Sequence, residues 1–274
     1  MLDVFKRAAL EAGQAILEVY HAGPHVHLKR DSSPVTEADE RAEAIILRHL
    51  AGAFPEIAVI AEESVEAGKL PQNAGATFFL VDPLDGTREF INKNDDFTVN
   101  IALIRDGVPV AGIVYAPAKH VGYTAHNGQA EKFSVSNTFE IHDLQPIASR
   151  AYAETPVALI SRSHCNAETE AFVVTHHITE FASIGSSLKF CLLAEGKADV
   201  YPRYSRTMLW DTAAGDAVLR AAGGITLGLD GQPLTYHPAD IRTSADLANP
   251  SFVAWGRPPA ACPPAPRRPK HEKS

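Results

Sequence analysis

Apolar residues recur every three or four positions along residues 2–20, which predicts an amphipathic helix. Residues 36–50, 186–195 and the alanine-rich residues 211–222 are also typical of helices. The second helix begins with Thr36-Glu37-Ala38-Asp39, a pattern similar to a helix-capping box with Asp in place of the usual Glu. Gly196 and Gly223 stand where the last two helices should stop. We therefore predict four helices, the first of them amphipathic.

Short apolar runs between turn residues predict strands through the rest of the chain. Residues 97–104 and 108–115 are joined through Asp106-Gly107, a strong hairpin signal. The other predicted strands cover residues 57–61, 78–81, 121–125, 131–135, 157–161, 179–184, 198–201, 225–228 and 252–255. Helices come first, then a run of antiparallel strands, then alternating strands and helices. This order favours layered α/β material with a mixed sheet in the second half.

Composition and charge restrict the partners and the location expected for the protein. The formal net charge of −8 argues against a nucleic-acid polymer or an anionic membrane as partner. No apolar run approaches the ~20 residues that span a bilayer, and the first residues lack a signal-peptide pattern. Three distant cysteines, Cys165, Cys191 and Cys262, form no zinc or disulfide pattern. We expect a cytoplasmic protein, and peripheral association with the inner membrane stays open.

The chain length allows one large domain or two smaller ones. We expect a single catalytic domain over residues 1–256, with subdomains of about 1–150 and 151–256. Residues 257–274 are rich in proline and basic residues, and we expect this tail to be disordered.

The hexapeptide Asp82-Pro-Leu-Asp-Gly-Thr87 carries the strongest chemical signal. It follows an apolar run, so its carboxylates should lie at the end of a buried strand, which Pro83 should terminate. Gly86 permits close approach of the backbone to a ligand, and Thr87 can begin a helix whose free amides attract an anion. Carboxylates beside an anion site are consistent with cations between them. The hexapeptide therefore suggests metal-assisted phosphate chemistry.

Other carboxylates also stand at the ends of predicted segments, and each has a plainer interpretation. Asp39 and Asp211 could serve only as helix caps, and Glu62-Glu63 could be solvated charge after a strand. Mg²⁺ prefers oxygen ligands, and a two-metal site needs a bridging carboxylate. Asp82 is placed to bridge at the strand end, with the Leu84 carbonyl as a further oxygen donor.

The carboxylate motifs resemble those of the lithium-sensitive, magnesium-dependent phosphatase superfamily. The matching motifs are Glu62-Glu63, the hexapeptide and Trp210-Asp211 followed by Ala213-Ala214-Gly215, within roughly residues 36–254. This group includes inositol monophosphatases, fructose 1,6-bisphosphatases and 3′(2′),5′-bisphosphate nucleotidases. Further segments are similar to the bacterial bisphosphate nucleotidases: Phe97–Ile104, Val114–Pro117, Ser161–His164, Gly185–Phe190, Ala194–Gly196, Tyr201–Arg203 and Trp210–Gly215.

The resemblance implies an α+β or α/β fold, a layered α-β-α-β-α sandwich. It implies two or three Mg²⁺ ions that polarise the phosphoryl oxygens and activate a water. The implied metal ligands are Glu62, Asp82, the Leu84 carbonyl, Asp85 and Asp211. Thr87 and Glu62 would orient the water, with Asp39 accepting from the Thr87 hydroxyl. The implied substrate-binding residues are Glu62, Leu84, Asp85, Gly86, Thr87, His164, Ser186, Lys189, Arg203 and Asp211.

The expected reaction is removal of the 3′-phosphate of adenosine 3′,5′-bisphosphate, giving AMP and phosphate. The alternatives are an inositol monophosphatase or related sugar phosphatase, and a binding regulator that has lost catalysis. Tyr204, beside Arg203, stands where inositol monophosphatases place a carboxylate, which favours a nucleotide. Arg206 departs from the branch pattern, which usually has Gly-Pro-Thr where this chain has Ser205-Arg206-Thr207. The expected partner is a small phosphorylated nucleotide, and a homodimer is compatible with the sequence.

Overall fold

The computed structural model describes residues 1–24, 26–28, 34–71, 74–161, 166–237, 241 and 243–258. Within these ranges the α-helices are α1 Leu2–Ala22, α2 Glu37–Ala53, α3 Glu62–Glu66, α4 Thr87–Ile91, α5 Ala167–Thr175, α6 Leu188–Ala194 and α7 Leu209–Ala221. The strands are β1 Val26–Leu28, β2 Pro34–Thr36, β3 Ala58–Ala61, β4 Thr77–Asp85, β5 Thr98–Arg105, β6 Val108–Ala116, β7 Val121–His126, β8 Gln129–Val135, β9 Ile141–Pro146, β10 Val157–Ser161, β11 Glu180–Ile184, β12 Val200–Arg203, β13 Ile225–Gly228 and β14 Phe252–Trp255. Short 3₁₀ turns cover Pro117–Lys119 and Ser244–Leu247.

The described strands form three sheets. The largest has the order β3-β4-β5-β6-β7-β8-β9 and is antiparallel except for the parallel pair β3–β4. The second is mixed, with the order β11-β10-β12-β14-β13, and β1 pairs with β2 in a small ribbon. The larger sheet carries β4, whose end holds the hexapeptide.

Side chains alternate between the two faces of each strand, so the two faces of a sheet pack against different helices. In β4, Phe79 and Val81 pack with α1 and α2, whereas Phe78 and Leu80 face the opposite side, where α6 and α7 lie. In β14, Phe252 joins this central core, and Trp255 packs with α5 on the outer side. The layers are therefore α1/α2, the seven-stranded sheet, α6/α7, the five-stranded sheet and α5. The predicted α-β-α-β-α sandwich is confirmed.

The four predicted helices and the hairpin are confirmed. Asp39 completes the capping box of α2, and Asp106 and Gly107 both have positive φ in the turn between β5 and β6. One prediction is wrong, because β4 does not end at Pro83 but continues to Asp85. The pairing of β4 with β5 is interrupted between Asp82 and Asp85. Pro83 therefore lies where no ladder bond requires its missing N–H.

The sequence patterns did not predict α3, α5, β1, β2 or β9. Among the described helices, none is both long and apolar enough to span a membrane. The subdomain division near residue 150 stays a prediction, and the tail from residue 259 onward lies outside the described residues.

Candidate active site

A cavity of about 710 Å³ opens where β4 ends, between the two large sheets and beside the beginning of α7. The residues lining it include the carboxylates Glu62, Glu66, Asp82, Asp85, Glu89 and Asp211. They also include the basic residues Arg88, Lys189, Arg203 and Arg206. The cavity therefore combines oxygen donors that suit a hard cation with groups that suit an anion.

The turn after β4 directs the hexapeptide backbone. The Leu84 amide donates to Asp82 Oδ1 at 3.0 Å. This hydrogen bond lies in the stretch from Asp82 to Asp85, where the pairing of β4 with β5 is interrupted. Gly86 then adopts a left-handed conformation with φ of 94° and precedes α4 directly. A Cβ at this position would lie 3.0 Å from the Asp96 carbonyl oxygen, a tight contact, so both conformation and space favour glycine.

Thr87, the first residue of α4, is linked to α2 through Asp39. The Thr87 hydroxyl lies 3.2 Å from Asp39 Oδ1 and 3.2 Å from the Leu84 carbonyl, so its one proton serves one acceptor at a time. Asp39 Oδ2 accepts from the Thr36 amide and hydroxyl, each at 2.8 Å. Asp39 therefore has both predicted contacts, as a helix cap and as an acceptor for Thr87.

Asp85 is held by Ser187, a buried residue that directly precedes α6. Ser187 donates to Asp85 Oδ2 from its amide at 2.6 Å, and its hydroxyl lies 2.9 Å from the same oxygen. That hydroxyl also lies 2.7 Å from the Asp211 carbonyl and accepts from Asn100 Nδ2 at 2.9 Å. Ser187 thus ties the end of β4 to the beginning of α7.

Asp211 is the third residue of α7 rather than its N-cap, because the helix begins at Leu209. Its Oδ2 accepts from the Met208 amide at 2.8 Å. The preceding segment is held by buried Asn249, whose amide Nδ2 donates to the Met208 carbonyl at 2.6 Å and whose backbone N–H donates to the Thr207 carbonyl at 2.8 Å. The beginning of α7 is therefore fixed by hydrogen bonds from both sides.

The site carries unfavourable negative charge. Burial raises the pKa of Asp211 well above its usual range, and the charges of Asp85 and Glu62 add to this. Burial also raises the pKa of Asp85, although Lys189 and the hydrogen bonds from Ser187 oppose the change. A cation in the cavity would relieve this repulsion.

The carboxylates have oxygens available for a cation. Within the described ranges, Asp85 and Asp211 each have Oδ2 bound to protein donors and no hydrogen bond to Oδ1. Among the described residues, no group of three or more acidic, histidine or cysteine side chains is arranged so that it could hold a metal ion. Mg²⁺ does not need such a group, because it commonly keeps waters and binds through one or two carboxylates plus substrate phosphate. The donor set therefore fits Mg²⁺.

Two of the basic residues, Lys189 of α6 and Arg203 of β12, are buried in the wall of the cavity. Lys189 is 4% exposed, and its Nζ donates to the Ser186 and Ile184 carbonyls at 2.6 and 3.1 Å. Burial lowers its pKa to about 8, against the opposing charge of Asp85. Arg203 is 8% exposed, and its Nη2 donates to the Arg206 carbonyl at 3.4 Å. Its buried Nε has no hydrogen-bond partner among the described residues.

The structure brings nearly all of the predicted site residues together. Those lining the cavity are Glu62, Asp82, Leu84, Asp85, Gly86, Thr87, Ser186, Lys189, Arg203 and Asp211. Asp39 is buried behind Thr87, and His164 lies outside the described residues. The interpretation of Tyr204 was wrong, because its ring packs toward Phe172 of α5, with ring centroids 6.4 Å apart, and does not line the cavity.

Sequence reasoning missed the buried polar residues that hold the predicted ones in place. These are Glu43, Asn100, Ser187 and Asn249. Ser187 adjoins the predicted Ser186, and Glu43 is one helical turn after Asp39, so their positions gave a weak signal. Asn100 lies in the Phe97–Ile104 segment, which gave no indication of its role, and Asn249 gave no signal at all, because each acts on residues from distant parts of the chain.

Comparison with known proteins places the chain in a family. Residues 1–254 match the inositol monophosphatase family. The 3′(2′),5′-bisphosphate nucleotidase CysQ of Escherichia coli K12 is 42% identical over 92% of this chain and 98% of its own length. The protein of the same name from Buchnera aphidicola is 40% identical over 93% of each chain.

Solved structures agree with this assignment. The crystal structure of CysQ from Bacteroides thetaiotaomicron, described as a bacterial member of the inositol monophosphatase family, has a TM-score of 0.74 and 37% identity, covering 91% of this chain and 94% of that one. An IMPase from Thermotoga maritima shares the fold with a TM-score of 0.72 at 21% identity, covering 93% and 91%. The chain belongs to the inositol monophosphatase family.

Proposed function

We propose that this protein hydrolyses the 3′-phosphate of adenosine 3′,5′-bisphosphate in a Mg²⁺-dependent reaction, giving AMP and phosphate. One observation carries the proposal: a single cavity has a carboxylate group around Asp85 and Asp211 and a basic wall containing Lys189 and Arg203. A substrate with two separate phosphates suits both parts. The relatives named bisphosphate nucleotidase support the same substrate class.

Two or three Mg²⁺ ions are proposed at the carboxylate end. Glu62, Asp82, the Leu84 carbonyl, Asp85 and Asp211 would hold them. Bound there, Mg²⁺ would neutralise phosphoryl charge and increase the acidity of water. The repulsion among Asp85, Glu62 and Asp211 is the feature of this chain that favours cation binding.

The chain's own residues would orient the reactants. Thr87, with Asp39 as its acceptor 3.2 Å away, would position the attacking water together with Glu62. The Gly86 and Thr87 amides would hold the phosphate to be cleaved. No covalent enzyme intermediate is required, because water attacks phosphorus in line with the leaving 3′-oxygen.

The second phosphate would bind at the basic wall. Lys189 has one proton left after its two carbonyl contacts, and Arg203 Nε is a buried donor that lacks an acceptor among the described residues. An unsatisfied buried donor is costly, and a phosphate oxygen would remove that cost. Ser186 and His164 are the other proposed contacts. The predicted cytoplasmic location and homodimer stay predictions.

Substrate preference tests the proposal. With saturating Mg²⁺, kcat/KM for adenosine 3′,5′-bisphosphate should exceed that for inositol 1-phosphate by at least about 100-fold. Only the bisphosphate has a second phosphate that can bind Lys189 and Arg203 in the basic wall. Phosphate release from the two compounds, measured side by side, checks this. A preference for the inositol ester would overturn the substrate assignment and favour an inositol monophosphatase.

Arg206 should contribute to discrimination between one and two phosphates. Arg206→Ala is expected to raise KM for adenosine 3′,5′-bisphosphate by about fivefold to tenfold, since an exposed arginine forms a screened, charge-assisted contact. KM for adenosine 3′-monophosphate should not change, because it lacks the second phosphate. Arg105→Ala, at an exposed position at the end of β5, is the matched control. Equal effects on both substrates would contradict a contact with the second phosphate.

A further inference from the structure

Helix α2 presents two buried carboxylates one turn apart toward the site. Asp39 and Glu43 are 1% and 5% exposed. Asp39 accepts from Thr87, the first residue of α4. Glu43 makes a parallel contact with α3, because its Oε2 accepts from the Glu63 amide at 2.8 Å and its Oε1 accepts from the Ser64 hydroxyl at 2.6 Å. One helix therefore holds the starts of two short helices.

The contact from Glu43 replaces a missing cap. Helix α3 begins at Glu62, and its N-cap residue, Ala61, has no side chain that can accept a hydrogen bond. Glu43 supplies that acceptor from a different helix. Because the Glu63 amide is part of the peptide group that follows Glu62, the hydrogen bond fixes the backbone from which the Glu62 side chain projects. Glu62 lines the cavity, whereas Glu43 does not.

We infer that Glu43 is a positioning residue that sets the location of Glu62 relative to Thr87. The inference rests on the proposed role of Glu62 in metal binding. Asp39 and Glu43 are four residues apart on a rigid helix, so they hold Thr87 and the Glu62 backbone at a fixed separation. Partners that orient metal ligands are commonly worth a large factor in metal affinity. Glu43 therefore acts on the reaction through Glu62 and does not itself contact the substrate.

The test is Glu43→Gln, which keeps the side-chain volume but places an NH₂ group against one of the two donors. The affinity for Mn²⁺, measured by electron paramagnetic resonance without substrate, should fall by about tenfold, as is typical when an outer partner of a metal ligand is lost. The Mg²⁺ concentration for half-maximal activity should rise by a similar factor. The value of kcat at saturating Mg²⁺ should change by less than about threefold, because a bound ion holds the Glu62 carboxylate in place and Thr87 and Asp39 are untouched.

A smaller substitution and a control substitution accompany Glu43→Gln. Ser64→Ala removes one of the two hydrogen bonds and should lower Mn²⁺ affinity by about threefold, a smaller loss than in Glu43→Gln. Glu40→Gln, at an exposed position of the same helix, should leave Mn²⁺ affinity unchanged. If Glu43→Gln does not fold, Ser64→Ala decides the question.

Unchanged Mn²⁺ affinity in Glu43→Gln, or in Ser64→Ala when the first variant does not fold, would overturn the inference. A lower melting temperature alone would not support it, because that would indicate a purely structural role. Glu62→Gln separates this failure from a failure of the proposed function. If Glu62→Gln retains full Mn²⁺ affinity and turnover, the proposed role of Glu62 is itself wrong.

Discussion

Replacing Asp85 by Asn is expected to lower turnover by at least about 1,000-fold, since loss of a metal-binding carboxylate removes much of the charge stabilisation of phosphoryl transfer. The substitution keeps the shape of the side chain and can keep the hydrogen bonds that Ser187 donates to Oδ2. It removes the negative charge that Oδ1 presents to the cavity. The expected loss is therefore chemical rather than structural.

The free energy of unfolding should show whether Asp85→Asn loses turnover through lost metal binding or through misfolding. Burial raises the pKa of Asp85, and the nearby charge of Glu89 acts in the same direction. A neutral Asn relieves that cost, so without Mg²⁺ the free energy of unfolding should stay within about 1 kcal/mol of wild type. With Mg²⁺, only the wild type should be stabilised markedly.

Thermal unfolding with and without Mg²⁺, beside phosphate release, measures both effects of Asp85→Asn. Asp143→Asn is the matched control, because Asp143 is a surface residue of β9 with a 72% exposed side chain. Full turnover in Asp85→Asn would refute the metal assignment. Mg²⁺ stabilisation of a wild type that releases no phosphate would favour the binding regulator instead.

Replacing Thr87 by Val should lower kcat by about 100-fold to 1,000-fold, the usual range when a group that positions or deprotonates the attacking water is lost. Valine has nearly the same shape but no hydroxyl. Asp39 Oδ1 loses the Thr87 hydroxyl at 3.2 Å, and with it the contact through which Asp39 would act on the attacking water. Mg²⁺ affinity should change little, because the proposed ligands are untouched.

Two control variants accompany Thr87→Val. Thr87→Ser retains the hydroxyl and should recover most of the rate. Thr98→Val, in the neighbouring strand β5, removes a buried hydroxyl that has no hydrogen-bond partner among the described residues, so its rate should match wild type. A Thr87→Val enzyme with unchanged kcat, measured at saturating Mg²⁺ and substrate, would exclude Thr87 and Asp39 from the reaction.

The layered fold could be predicted because local signals agreed with each other. The helical spacing of α1, the capping box of α2 and the Asp106-Gly107 hairpin each depend on residues close in sequence. The carboxylates of the site were joined in the prediction only by the resemblance of their motifs to a known family. In the structure Asp82 and Asp85 lie at the end of β4, and Glu62 follows its parallel neighbour β3. The ends of parallel neighbouring strands lie at one edge of a sheet.

What could not be predicted depends on tertiary contacts. Pro83 suggested the end of β4, but the local interruption of pairing accommodates it within the strand. Tyr204 was placed in the site by its distance from Asp211 along the chain, whereas packing against α5 turns its ring away. Ser187 and Asn249 gain their roles only when residues from distant segments meet, and no periodicity reports that.

The most direct measurement is the product analysis of adenosine 3′,5′-bisphosphate incubated with the wild-type protein, in Mg²⁺ and in excess chelator. We predict equal amounts of free phosphate and of AMP, with its phosphate on the 5′-oxygen, in Mg²⁺, and neither product in chelator. Adenosine 3′-monophosphate as the product, or no phosphate release in Mg²⁺, would contradict this prediction.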